Sequence, residues 1–362
     1  MIKKTLTILL FILSTKLLIS QVVVNEFSAA NYDFFQDNYG EYEDWVELYN
    51  TSSSDIDLNG WYLSDKSTNI TKWQFPSSYI ISANSTALIY CSGRDELIGG
   101  IAHTNFKITQ TKGNETFIIA DATGAVIDSI SVLPHQKSHS RGRDVNGGSN
   151  WSVFSDLVTT PGANNNGALL EYASTPSFSQ PSGYYNTGVD IAINSPDPNV
   201  TIYYTVDGSM PDNTSLIYNS PVNITSTTVL KAVAYSSNPN IPRSFLEYNT
   251  YFINDTHTVS ILSIAGTDLG DLLAGNQIEP QGTVEYFDSS GNLLDKGTGE
   301  YNKHGNDSWA YDQRGFDFIM RDQFGYNYAI NDKIFETKNR DSFQKLIVKA
   351  AANDNFSFED GA

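Results

Sequence analysis

The sequence predicts a mainly β protein, built as two β-sandwiches followed by a partial α+β segment. Two observations carry this. Long helical periodicity is nearly absent beyond the first twenty residues. In its place, short apolar runs alternate with Gly, Asn, Asp, Ser and Pro clusters at roughly eight- to twelve-residue spacing, the rhythm of sandwich strands and their turns. A third observation, the chain's 362 residues with 40% hydrophobic and 12% aromatic content, gives room for two or three packed cores.

The elements follow in order. VVVNEF opens as a strand. EDWVELYN, residues 43–50, sets Trp45, Val46, Leu48 and Tyr49 against charged positions. DLNGWYLSD puts Gly60 at a turn and Trp61 on a core face. TALIYC and ETFIIAD are further strands, and GAVIDSISV follows a turn at Gly124. SRGR, NWS and TTPGANN close this first segment, the Pro-Gly pair ending it. NVTIYYTVDGSMPD opens a second set of strands, with Ile202 and Tyr204 on one face and Tyr203 and Thr205 on the other. Asp207-Gly208 supplies a tight turn, since glycine tolerates positive φ. Pro221, Ile224, Val229, Leu230 and Ala232 belong to the returning strands. Beyond residue 257 the pattern gives a strand (TVSILSI), a short helical turn (LGDLLAGN) and a hairpin turning at Ser289–Asn292. SWAYDQRGFDFIMRDQFG, residues 308–325, alternates as another strand.

Charge narrows the function classes. Forty-one Asp and Glu against twenty-two Lys and Arg leave −19, and such a surface repels phosphate backbones and anionic lipid. No nucleic-acid partner is expected, and the acidic excess reads as a solubilising coat. Residues 1–21 carry Lys3 and Lys4 before a short apolar run, Leu6–Leu13, too short to cross a bilayer. This is the pattern of a cleaved secretory signal, whose three lysines take the charge to −22 on removal. With no later segment long enough to span a membrane, the expected place is extracellular or at the cell surface. Cys91 is the single cysteine, so no intramolecular disulfide forms, and its apolar run makes it a core residue.

Three resemblances add to this reading. Over residues 22–166, Asn25-Glu26, Asp44-Trp45, Glu47-Leu48-Tyr49-Asn50, Leu58, Gly60-Trp61 and Leu63-Ser64-Asp65 resemble the lamin-tail domain, an immunoglobulin-like sandwich. Phe75-Pro76, Asn105-Phe106, Gly124, Asp128-Ser129, Ser140-x-Gly142-Arg143, Trp151 and Pro161-Gly162 continue the match. That resemblance implies a binding or spacing module with no catalytic residue to carry over. Over residues 170–253, Tyr203-Tyr204-Thr205, Asp207-Gly208-Ser209, Pro211 and Thr228–Ala232 resemble the C-terminal domain of chitobiases and β-hexosaminidases. It implies an accessory sandwich. Tyr184, Tyr185 and Tyr218 are its candidate glycan contacts, or else half-buried sheet residues.

Over residues 257–362, Val284–Phe287, Lys303-His304-Gly305, Arg314, Phe316, Phe318, Phe324-Gly325, Phe343 and Lys345–Ile347 resemble the front of the spore-coat protein H (CotH) kinase-like domain. The resemblance implies a strand lysine gripping nucleotide phosphates. Arg314 falls in that slot, with Gly315 where serine is expected and Asp312 near the proline position. Arginine is longer, planar and fork-shaped, so it does not reproduce the lysine's geometry. The acids that would hold Mg²⁺ come from a second lobe, and the resemblance covers only about 100 residues of the longer domain. ATP and Mg²⁺ are therefore cofactors only of a longer kinase, of which this chain is either a fragment or a short relative.

Other candidates are weaker. Asp33, Asp37, Glu41, Glu43 and Asp44 form an acidic loop that lacks EF-hand spacing. His304 sits in a loop beside Asp307, and His103, His135, His139 and His257 show no metal-ligand spacing. The expectation is a non-catalytic exported binding or structural protein with a protein or glycan ligand. The alternatives are the front of a CotH-like kinase acting on exported proteins, or a carbohydrate-binding accessory protein.

Overall fold

The computed structural model describes residues 21–305, 309, 314–325 and 327–349. The secretory-signal segment therefore lies outside the described residues, apart from Gln21. The chain is mainly β, as expected, with a single six-residue α-helix among the described residues, Leu269–Ala274.

Two sheets face each other in the amino-terminal part. One has seven strands in the order Trp151–Phe154, Ser140–Arg143, Val22–Ser28, Trp45–Asn50, Thr86–Tyr90, Ile101–His103 and Glu96–Ile98. The other has four: Val126–Ser131, Thr116–Ala120, Tyr62–Ser64 and Trp73–Gln74. Between them lie Val24, Phe27, Val46, Leu48, Trp73 and Phe117, with Cys91 fully buried as the sequence suggested. Gly60 and Gly124 take φ of 78° and 82°, the left-handed turns assigned to them.

The alternation of WVELYN fails at one position. Glu47 is as buried as Val46 and Leu48, because the outer face of its strand is covered rather than solvated. The pairing of Val22–Ser28 with Trp45–Asn50 also shifts register between Val24 and Glu26, leaving Asn25 as an extra residue. Such a bulge re-aims side chains, and here Asn25 and Glu26 both enter the buried cluster around Glu47.

The middle part has a five-stranded sheet in the order Gly183–Tyr185, Glu247–Ile253, Thr228–Ser236, Val200–Thr205 and Leu216–Ile217. Two short pairs, Ser177–Phe178 with Ile193–Asn194 and Val189–Ile191 with Val222–Ile224, complete it. Ile202 and Tyr204 join the core with Ile191, Leu230 and Tyr251. Tyr203 lies on the other face with Val233 and Tyr248, as the alternation requires. That second face is also buried, because the last sheet packs on it.

The last sheet is an antiparallel meander of five strands: Ile261–Gly266, Gln281–Phe287, Leu293–Lys303, Phe316–Met320 and Lys345–Val348. Leu269 and Leu272 of the helix join Val284, Tyr301, Phe318 and Met320 in its core. Within the stretch 308–325, Phe316–Met320 is the strand, followed by a 3₁₀ turn at Asp322–Phe324.

Candidate functional site

The residues that mark the first segment are consumed in holding it together. The Asn25 amide donates to Glu47 Oε1 at 2.8 Å, to Asn165 Oδ1 at 3.0 Å and to Asn146 Oδ1 at 3.2 Å. Glu47 Oε2 accepts the Gly162 N–H at 2.7 Å. Glu26 accepts from the hydroxyls of Ser140, Thr159 and Thr160 and from the Thr160 N–H. TTPGANN is thus pinned across the outer face of the strands that carry Glu26 and Glu47. Burial, reinforced by the Glu26 charge, pushes the Glu47 carboxyl up to about 8. Arg143 joins the Val24 carbonyl at 2.8 Å and Asp128 at 3.0 Å, above the Trp151 ring. Each of these residues links stretches far apart in the sequence.

Four of the five acids of the acidic loop already meet cations. Arg94 contacts Asp37, Glu41 and Glu43, Lys107 pairs with Glu43 at 2.8 Å, and Lys137 pairs with Asp33 at 2.6 Å. Asp44 makes no ion pair among the described residues and accepts the Asn31 N–H at 3.2 Å, and burial raises its carboxyl well above the usual range. No group of three metal-capable side chains converges among the described residues. His135 and His139 are pushed down to about 3 and about 4 by burial, which keeps them neutral. His135 Nε2 accepts the Ala29 N–H at 2.9 Å.

Arg314 lies at the end of the helix Leu269–Ala274. Its guanidinium donates to the Leu273 carbonyl and, at 3.2 Å, to the Trp309 carbonyl. A cation at a helix C-terminus meets the negative end of the helix dipole. Gly315 follows it, while Asp312 lies outside the described residues. His304 Nδ1 stands 2.8 Å from Asp317 Oδ1, and Lys345 pairs with Asp317 Oδ2 at 2.6 Å. Tyr185 and Tyr218 pack at the edge of the middle core. Tyr184 stacks on Phe252, with ring centroids 4.5 Å apart, and meets His257 Nδ1 at 2.9 Å. All three tyrosines are half-buried.

The largest concentration of unforeseen polar contacts lies where the three parts of the chain meet. Asp322 of the last part accepts the Gln110 N–H of the first at 2.8 Å, and its carbonyl takes the Gln110 amide. Tyr32 donates to Glu300 at 2.6 Å, and Glu300 pairs with Arg321 at 2.6 Å. Burial opposes ionisation of Glu300, but the bonds from Arg321 and Tyr32 outweigh it and hold the carboxyl below its ordinary value. First and middle parts meet at Tyr172, whose hydroxyl takes the Gln136 N–H at 3.0 Å and whose ring lies 5.0 Å from Phe245.

Middle and last sheets share Glu285, buried, which takes the hydroxyls of Ser182 and Thr250. Lys296 reaches across to Glu247 at 2.7 Å and the Tyr248 carbonyl at 2.8 Å. Lys231, fully buried, reaches the Ala265 carbonyl at 3.3 Å and Met210 Sδ at 3.6 Å. Burial lowers its pKa to about 7. One signal was available: Lys231 and Glu285 each interrupt an apolar strand, in TVLKAVAYS and TVEYF. Nothing local marks Gln110 or Asp322.

A cavity of about 160 Å³ opens at this three-way junction, with Gln136 from the first part, Val233, Arg243 and Phe245 from the middle and Thr298 and Phe324 from the last in its wall.

Comparison with known families gives two matches. Residues 14–133 match the model of the lamin tail domain, and residues 180–242 match that of the chitobiase/beta-hexosaminidase C-terminal domain. Both matches end before their sheets do: the seven-stranded sheet runs on to Phe154, and the middle sheet is completed by Glu247–Ile253. No curated protein matches the chain. Two such modules in one chain indicate a binding or structural multidomain protein. No helix among the described residues is long and apolar enough to cross a membrane.

Proposed function

We propose that the chain is an exported binding or structural protein that works by presenting the surface of one rigid body, without catalysis of its own. The observation that carries this is the junction itself. Gln110–Asp322 and the Glu285 cluster tie the parts by buried hydrogen bonds, and Tyr32–Glu300–Arg321 adds a half-buried set. Buried polar groups satisfied across a boundary resist separation, because opening it strands them. Such a body holds its binding surfaces at fixed spacing. Export is supported by Lys3, Lys4 and the apolar run that follows, and by the company of a chitobiase-type module.

Two measurements test this reading. Fractionation of cells producing the whole chain should place it outside the cytoplasm, shortened by about 20 residues. A chain retained inside at full length contradicts export. Incubation with ATP, Mg²⁺ and exported proteins should give no phosphoryl transfer. Turnover that Arg314→Ala abolishes contradicts the non-catalytic part.

A second reading, the front of a CotH-like kinase, is favoured by one observation. The last part is a five-stranded antiparallel sheet with a helix against it, and Arg314 stands between that helix and the fourth strand. Under this reading Arg314 turns from the Leu273 carbonyl to a nucleotide phosphate, with Mg²⁺ held by acids of a further lobe. Calorimetric titration with Mg-ATP separates the two readings: binding lost in Arg314→Ala supports the kinase, and no binding supports the presenting body.

A further inference from the structure

The junction cavity has the makings of a ligand site that the proposed function does not require. Its wall is mostly apolar, from Val233, Phe245 and Phe324 among others, with a few polar groups at fixed places. That mixture is typical of small-molecule pockets, which also favour boundaries between domains. One of its polar groups points to an acid, and a second is a buried group without a partner.

Arg243 lines the cavity and is exposed. Among the described residues no carboxylate lies within ion-pair distance of it, in a chain where acids outnumber bases 41 to 22. Its one guanidinium hydrogen bond there is a long one, 3.5 Å to the Ser244 carbonyl. By contrast Arg94, Arg141, Arg143 and Arg321 hold carboxylates, and Arg314 and Arg340, which do not, are taken up by backbone carbonyls of Leu273, Trp309 and Ser342. The Arg243 backbone is fixed: its carbonyl takes the Gln136 amide at 2.7 Å, and the next residue, Ser244, is buried and bonded to Ala234. A planar fork with free donors on an anchored backbone is suited to a carboxylate. The second feature is Thr298, 1% exposed, in the same wall, whose hydroxyl has no partner among the described residues. A buried orphan of this kind asks for an explanation.

We propose that the cavity between the three parts binds a small carboxylate with an apolar body. Arg243 takes the carboxylate at the mouth. Val233, Phe245 and Phe324 enclose the body. The ligand would touch all three parts at once, so its binding would tighten the junction.

The test uses the whole chain with benzoate as probe, against benzamide as its uncharged counterpart. Calorimetric titration should give a benzoate Kd on the order of 1 mM, as a ligand of this size with one charged contact can reach. Benzamide should bind about tenfold more weakly, and Arg243→Ala should lose a similar factor for benzoate alone. Arg243→Lys, which keeps the charge, should retain part of the affinity, while Lys333→Ala, on the exposed last segment, should change nothing. Near-ultraviolet circular dichroism checks that each variant keeps its packing. Absence of benzoate binding, or binding indifferent to Arg243→Ala and to amidation, overturns the proposal. A null here leaves the Mg-ATP and fractionation results untouched, so the two readings fail separately.

Discussion

Lys231 sits fully buried on the face where the middle and last sheets meet, and no carboxylate lies within 4 Å of its ammonium among the described residues. Burial lowers its pKa from 10.5 to about 7. Between those values the unfolded chain binds more protons than the folded one, so stability rises with pH across that window. The contribution is present above 10.5 and is lost as pH falls through about 7. Lys231→Met should remove this slope and raise stability at pH 6 by about 1–2 kcal/mol, read from urea midpoints. The Ala265 carbonyl keeps Thr283 as a donor, so the substitution strands nothing. Glu47 has the opposite sign. Its carboxyl is raised from 4.5 to about 8, so its contribution is full below 4.5 and is lost as pH rises through about 8. Glu47→Gln should flatten the fall in melting temperature between pH 5 and pH 8, and an unchanged fall would place its cause elsewhere.

The strands show what a pattern can and cannot report. The runs VVVNEF, TALIYC and ETFIIAD became strands because their β-branched and aromatic residues fit a pleated, half-buried surface. The turns at Gly60, Gly124 and Gly208 were legible because the left-handed backbone there selects glycine. Alternation failed at Glu47 and Lys231 for one physical reason: their outward faces are covered by segments distant in sequence. Arg314 was legible as an unusual charge before a strand, but its bonds to the Leu273 and Trp309 carbonyls depend on where the helix ends. The cavity was not legible, since its wall is drawn from three separated stretches. Close approach between strands leads to a further expectation. A Cβ on Gly299 would collide with the Ile319 carbonyl and the Phe318 ring. Gly299→Ala should therefore destabilise the chain by about 1–3 kcal/mol, while Gly270→Ala, where a Cβ meets nothing, should not. Equal urea midpoints for the two would refute the packing between Leu293–Lys303 and Phe316–Met320.

At the scale of the molecule, the two recognisable modules and the sheet that follows are not beads on a string. Gln110 and Asp322 are 212 residues apart in sequence and share two buried hydrogen bonds. Asp322→Ala would leave the buried Gln110 N–H without its carboxylate partner while the Asp322 carbonyl keeps the Gln110 amide, at a cost of about 1–3 kcal/mol, and should loosen the first part from the last. With these junctions closed, the three parts should unfold as a single cooperative body. Differential scanning calorimetry of residues 21–362 reads that cooperativity. One transition, with calorimetric and van't Hoff enthalpies equal, is the predicted result. Two or three resolved transitions, each keeping its midpoint when Asp322 is replaced, would contradict it.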